Sequence, residues 1–310
     1  MLDPRSLYTL ADPSPDLVPG PGPVLVHALN GFVDAGSAPR LVADHLLGSL
    51  PHEPVATFDA DQLVDYRSRR PAMVYDHDHY ASFERPELVL YAVRDRDGQV
   101  FLLLRGPEPD TQWERFAAAV TELIEHFDVS STVGLHAIGM PVPHTRPLGV
   151  IGHANRADLV PQGQSWPGTV QIPGSAAALL ELRLGEAGHP ALGFVVQVPH
   201  YLSDTPYPDA AAVLLDSLSD YAGLVVPRSD LLSAAEQTRE AIAEQVAGSD
   251  EVARVVTALE QQYDAYVGGQ ERRSLLATDD AKLPSADELA AEVERYLKAE
   301  APGGQEDPGA

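Results

Sequence analysis

The chain of 310 residues has no cysteine and only two lysines, Lys282 and Lys298, both near the C-terminus. Without thiols there is no disulfide, thiolate zinc site, iron–sulfur cluster or cysteine nucleophile. Without an earlier lysine, the body of the protein has no Schiff-base chemistry and no P-loop lysine. Basic residues are scarce overall: 21 Lys+Arg stand against 46 Asp+Glu, a formal charge of −25. A surface of that sign repels phosphates, which excludes a broad nucleic-acid or anionic-membrane interface. Long apolar runs are missing too. No segment approaches the roughly 20 apolar residues of a membrane span, and the opening residues 1–23, interrupted by Pro and Asp, lack the apolar stretch of a secretory signal. A cytoplasmic setting is expected. The length suits one large α/β domain or two smaller ones, with a core that needs no cross-links.

What is present alternates short apolar runs with longer amphipathic ones. Strands are expected over Val24–Leu29, His52–Phe58, Glu87–Val93, Gln99–Leu104, Thr132–Ile138, Leu148–Ile151 and Ala191–Val198. Helices are expected near Pro39–Leu50 and over Asp110–Phe127, Ser175–Leu184 and Pro208–Ala222. Runs such as VLVHAL and ALGFVVQV lack polar alternation and so read as strands buried on both faces. Interleaved with helices, they predict an α/β fold: a three-layer α/β/α domain with a mostly parallel sheet over residues 24–226. Residues 71–86, apolar and aromatic around a polar DHDH tip, read as an inserted hairpin of the kind that makes subunit contacts. Residues 227–300 contain no strand pattern and predict an all-helical appendage with helices over Ser229–Val246, Asp250–Val267 and Ser285–Lys298. Residues 1–23 read as an extended segment and 301–310 as a disordered tail.

Four loops at strand ends carry chemistry. Asn30-Gly31-Phe32-Val33-Asp34-Ala35-Gly36-Ser37 lies where α/β folds place ligands, between a strand end and a helix start. Its glycines would admit a phosphate, but Asp34 sets a negative charge there and no lysine follows, so a plain glycine-permitted turn competes with a ligand loop. Arg105 and Glu108 close the next such strand and either bind a ligand or form an acidic, proline-fixed helix entry. His144, Thr145 and Arg146, in a proline-stiffened loop, offer a base, a hydroxyl and a bidentate cation, or merely pair with acidic neighbours. His200 and Tyr201 repeat the theme after ALGFVVQV. Together these loops predict one crevice along the carboxyl edge of the sheet. The nucleophile is missing: Gly163-Gln164-Ser165-Trp166-Pro167 lacks the last glycine of a nucleophile elbow, and no HExxH or GxGxxG occurs. His77 and His79, each beside an aspartate on the hairpin tip, read more readily as solvated decoration than as metal ligands. No metal site and no cofactor is expected.

The segments NGFVDAGSA, RGPEPDTQWERF, GMPVPHTRP and VPHYLSDTPYPDA, in that order, resemble the PAC2 family, named after a proteasome assembly chaperone, and within it the actinobacterial branch with a C-terminal helical extension. The resemblance implies a phosphorylase/hydrolase-like α/β/α core, a hairpin insertion used in oligomerisation with a trimer as the expected state, and a helical lid over a ligand site. It transfers no settled activity. Two functions follow. The first is a chaperone-like assembly or binding protein with a protein partner and a small-ligand crevice. The second is a phosphorylase- or hydrolase-class enzyme acting on a small anionic or nucleoside- or peptide-like substrate. There His144 or His200 would serve as base, Arg146 or Arg105 as anion clamp, and Asp34 or Glu108 as acid.

Overall fold

A computed structural model of the chain describes residues 2–12, 22–160, 166 and 168–278, with side chains to residue 268. The expected helix over Ser285–Lys298 and the tail 301–310 lie outside the described residues, as does most of the Gly163–Pro167 segment. The described residues up to 260 form one unit and those from 261 onward belong to a second.

In chain order the elements are β1 (Tyr8–Leu10), β2 (Val24–Asn30), α1 (Ala38–Ser49), β3 (His52–Phe58), α2 (Ala60–Leu63), β4 (Met73–Asp76), β5 (His79–Phe83), β6 (Leu88–Arg94), β7 (Val100–Pro107) and α3 (Trp113–His126). There follow β8 (Ser131–Met140), β9 (Val150–Ala154), α4 (Ala176–Glu186), β10 (Ala191–Pro199), α5 (Pro208–Ala222), α6 (Ser229–Ala247) and α7 (Asp250–Thr278). Eight strands make one sheet in the order β1-β3-β6-β7-β2-β8-β10-β9, and β4 and β5 pair separately. The central run β7-β2-β8-β10 is parallel, and antiparallel pairs occupy both margins. Five of the eight strands (β2, β3, β7, β8 and β10) run one way, the mostly parallel sheet of a three-layer α/β/α fold.

Burial on both faces explains the uninterrupted apolar runs. On one face Val26, Ala28, Val133, Leu135, Phe194 and Val196 pack against Val42 and Leu46 of α1 and Leu214, Leu215 and Leu218 of α5. On the other, Leu25, Leu29, Leu102 and Leu104 meet Phe116, Val120 and Leu123 of α3 and Leu180 and Leu184 of α4. Each fully buried side chain of this size contributes about 1.5–3 kcal/mol, so two such layers account for a stable core without cross-links. Helix α6 lays Leu231 and Ile242 onto the first layer, next to α5.

Three local differences from the sequence pattern have physical causes. The short β1 adds an eighth strand beside β3, fixed by Arg115, a buried guanidinium that binds the Asp3 carbonyl, Ser6 and Gln62. Helix α3 starts at Trp113 rather than Asp110 because Gln112 takes a left-handed conformation (φ 57°). Trp113 is only half-buried, its indole N–H donating to the Pro109 carbonyl at 2.6 Å. The strand expected over Leu148–Ile151 begins two residues later and runs to Ala154, antiparallel to β10.

Candidate functional site

The sheet order divides the candidate residues. Strands β2 and β7 are parallel neighbours with Asn30 opposite Pro107, so their carboxyl ends put Asn30 and Arg105 on the wall of one cleft. Strands β8 and β10 end together elsewhere on the same edge, with Met140 opposite Pro199, and there His144 meets Tyr201.

Glu108 is almost wholly buried and acts between elements. Its Oε2 accepts the Phe32 N–H at 3.0 Å and its Oε1 accepts the Ala176 N–H at 2.7 Å. Ala176 is the first residue of α4, so the carboxylate sits at a helix N-terminus, where negative charge is favoured. Ser175 caps the same helix by accepting the Ala178 N–H. Gly31 is glycine for a steric reason: a Cβ there would fall 2.0 Å from Glu108 Oε2.

Asp34 is largely buried, and its Oδ1 has no hydrogen-bond partner among the described residues. Burial pushes its carboxyl up to about 6, with Arg40 offsetting part of the shift. Gly36 has φ 63°, the left-handed region that favours glycine. Its N–H donates to the Ser203 carbonyl and its own carbonyl accepts the Tyr207 N–H, which joins the β2 loop to the segment entering α5.

In the β8–β10 group the Tyr201 hydroxyl accepts the His144 backbone N–H at 2.9 Å and lies 2.7 Å from His144 Nδ1. The hydroxyl therefore bridges the backbone and the ring of the same histidine, which fixes the orientation of the imidazole. Burial lowers the His144 pKa and raises that of Tyr201. His200 packs edge-on against Tyr201. Thr145 donates to Glu260 Oε1 at 2.5 Å, and Arg146 reaches the same oxygen at 3.4 Å. The pair His144–Tyr201 is a neutral, aromatic polar contact. The pair Arg146–Glu260 is a partly exposed ion bridge of modest strength.

The cleft beside Asn30 and Arg105 has a volume of about 510 Å³ and is walled also by Arg69, Arg70, Arg85 and Tyr91. Arg105 is held by Asp44 at 3.0 Å. Arg69 is held by Asp110 at 2.8 Å and donates to the Asn30 carbonyl. Arg69, Arg70 and Arg85 lie at the foot of the hairpin, outside the strand-end loops that the sequence marks. A signal was present: Arg69-Arg70 precede the hairpin and Arg85 follows it, and the two ends of a hairpin are neighbours.

A second group escaped the sequence. His27, His136 and His153 form a row across the α3/α4 face of β2, β8 and β9, with ring centroids 5.6 and 5.7 Å apart. Gly134 and Gly193, opposite each other in β8 and β10, make room for the rings. A Cβ on Gly134 would lie 2.5 Å from His136 Nε2, and one on Gly193 would lie 2.3 Å from His153 Cε1. On the hairpin tip, His77 and His79 contact only the adjacent Asp76 and Asp78 among the described carboxylates. Among the described residues no group of three or more His, Cys, Asp or Glu is placed to hold a metal ion.

The model of the PAC2 family matches residues 28–246. A solved Mycobacterium tuberculosis protein of unknown function is 49% identical, covers 87% of this chain and 92% of its own, and superposes with a TM-score of 0.83. The M. tuberculosis proteasome-assembly chaperone homologue is 30% identical over 75% of this chain and 99% of its own, with a TM-score of 0.69. An archaeal proteasome activator from Pyrococcus furiosus, at 17% identity and a TM-score of 0.59 over 77% of this chain and 98% of its own, shares the fold. No curated protein matches the chain.

Proposed function

The chain belongs to the PAC2 family, and from that premise we propose that it is a chaperone-like assembly protein that acts through protein contacts made by the 71–86 hairpin. The observation that carries this reading is the β4–β5 ribbon itself. Met73, Val74, Tyr75, Tyr80 and Phe83 are all exposed, Tyr80 by 70%, on a two-stranded sheet that shares no strand pairing with the main one. A lone two-stranded ribbon is marginal in water, and an aromatic face of this kind gains from being covered by another chain. The covering chain is a further copy, with a trimer as the assembly. The likeness to a proteasome-assembly chaperone homologue supports a role in bringing other chains together. A small-ligand crevice on the carboxyl edge of the sheet completes the reading, and α6 with the start of α7, up to Glu260 on Thr145 and Arg146, forms a helical lid over the β8–β10 end of that edge.

The enzyme alternative is disfavoured by the partners that two of its candidate residues already have. Glu108 is committed to two backbone N–H groups and Arg146 reaches Glu260. Those are the partners of a braced scaffold rather than of an acid and a clamp around one reacting atom.

Native mass spectrometry of the full chain tests the assembly. The wild type is expected at three times 33.2 kDa, and the double variant Val74→Asp/Tyr80→Asp at the single-chain mass. Circular dichroism of the variant should be unchanged, because both side chains are exposed within their own chain. A monomeric wild type, or a variant that assembles as before, rejects the hairpin as the contact.

A further inference from the structure

We propose that the arginine-lined cleft at the foot of the hairpin binds a small organic anion carrying a phosphate or carboxylate group; this places the crevice of the preceding section and rests on that part of the reading. The chain has 19 arginines, and four of them, Arg69, Arg70, Arg85 and Arg105, wall this one cleft in a protein of net charge −25. Such a gathering sets a local positive patch in a negative molecule, and it is opposed by the mutual repulsion of the four guanidinium groups.

The four divide into two kinds. Arg69 and Arg105 are about two-thirds buried and held from behind, by Asp110 and Asp44 respectively. Their orientation is thus fixed before any ligand arrives, and each guanidinium keeps further N–H donors because its five are not used by one carboxylate and one carbonyl. Arg70 and Arg85 are exposed at the rim and make no hydrogen bond or ion pair among the described residues. They are brought together by the hairpin: the Glu84 N–H donates to the Ala72 carbonyl, extending the β4–β5 ladder to its foot.

Size and lining fit a small molecule. The volume of about 510 Å³ falls within the roughly 300–1,000 Å³ of ligand sites. Tyr91 adds an aromatic ring and a hydroxyl to the wall. Glu84 and Glu87 also line the rim. Their charge disfavours an extended polyanion lying across the mouth and favours a compact anionic group that reaches the floor between Arg69 and Arg105, where planar guanidinium forks match phosphate and carboxylate oxygens.

The test is calorimetric titration and thermal shift of the full chain with inorganic phosphate, pyrophosphate and citrate, against sodium chloride at equal ionic strength. At least one probe should bind and raise Tm. The phosphate and citrate arms separate the two chemistries. Arg70→Gln/Arg85→Gln should weaken that binding by about tenfold or more without lowering the probe-free Tm, because both side chains are exposed. The control Arg156→Gln, whose side chain pairs with Asp158 outside the cleft, should bind as the wild type does. The proposal is overturned if no probe exceeds chloride, or if the double variant binds as tightly as the wild type. Binding is read independently of assembly. An assembled chain that binds no probe defeats the site alone, and a monomer that binds defeats the hairpin contact alone.

Discussion

Between about pH 7 and pH 4 the wild-type chain is expected to lose about 3 kcal/mol of unfolding free energy relative to its His27→Leu variant. His27 is 3% exposed, its Nδ1 has no hydrogen-bond partner among the described residues, and burial lowers its pKa from 6.5 to about 4. The unfolded chain takes up a proton on this imidazole near pH 6.5, whereas the folded chain resists until about 4. Acid therefore favours the unfolded state throughout that window, and the stability present above pH 6.5 is lost as the pH falls. His136, buried beside it, is shifted in the same direction by burial and by the neighbouring imidazoles. Glu181 contacts only the outermost ring, His153, so the carboxylate that could stabilise a proton lies at one end of the row.

Asp34 works in the opposite sense. Its carboxyl is raised to about 6 by burial, so the folded chain holds a proton there that the unfolded chain releases, and acid in the same range favours folding. The wild-type curve alone mixes the two effects, which is why the variant is needed. Leucine removes the titrating ring and the unpaired nitrogen while keeping the site filled. Urea unfolding of both proteins at a series of pH values gives the difference directly. Parallel stability curves would show that the row is solvated, and a wild type that gains stability in acid relative to the variant would show that the ring is already charged in the folded chain.

The fold class was legible because buried parallel strands leave a strong mark: VLVHAL and ALGFVVQV coincide with β2 and β10 almost to the residue. Between β6 and β7, Asp97-Gly98 carries a local mark too: Gly98 adopts the positive φ of an Asp-Gly turn. Short or edge elements were not legible. Three residues of β1 carry no period, and their place beside β3 depends on Arg115, which lies over a hundred positions away. The site was legible in parts for a related reason. That Asn30 and Arg105 share a wall follows from β2 and β7 being neighbours, and strand order is a tertiary property that no local pattern encodes. The same order puts β8 between β2 and β10 and sends His144 to Tyr201 instead. Buried roles of polar residues were the least visible. Nothing local to Glu108 says that its two oxygens will meet N–H groups from residues 76 and 68 positions away.

Glu108→Ala is expected to destabilise the chain by about 3 kcal/mol, since two backbone donors lose a charged acceptor and one of them is buried. Glu108→Gln should fall between, because an amide offers one carbonyl oxygen where the carboxylate offers two. A role limited to packing would make the glutamine variant neutral, so its stability separates hydrogen bonding from volume. Gly31 supplies a sharper check. Alanine there would place a Cβ 2.0 Å from Oε2 and 2.6 Å from the Cβ of Glu108, so Gly31→Ala alone should also be destabilising. In the double variant Gly31→Ala/Glu108→Ala the carboxylate that clashes is gone. The combined loss should be smaller than the sum of the single losses by about 1 kcal/mol or more. Additive losses would mean that the clash lies with the Cβ of residue 108, which alanine keeps, and not with the carboxylate. Glu108 is absent from the wall of the arginine cleft, so Glu108→Gln should retain whatever affinity the wild type has for pyrophosphate or citrate. Loss of that affinity with the fold intact would transfer Glu108 from the scaffold to the site, and with it the β2 loop that its carboxylate holds.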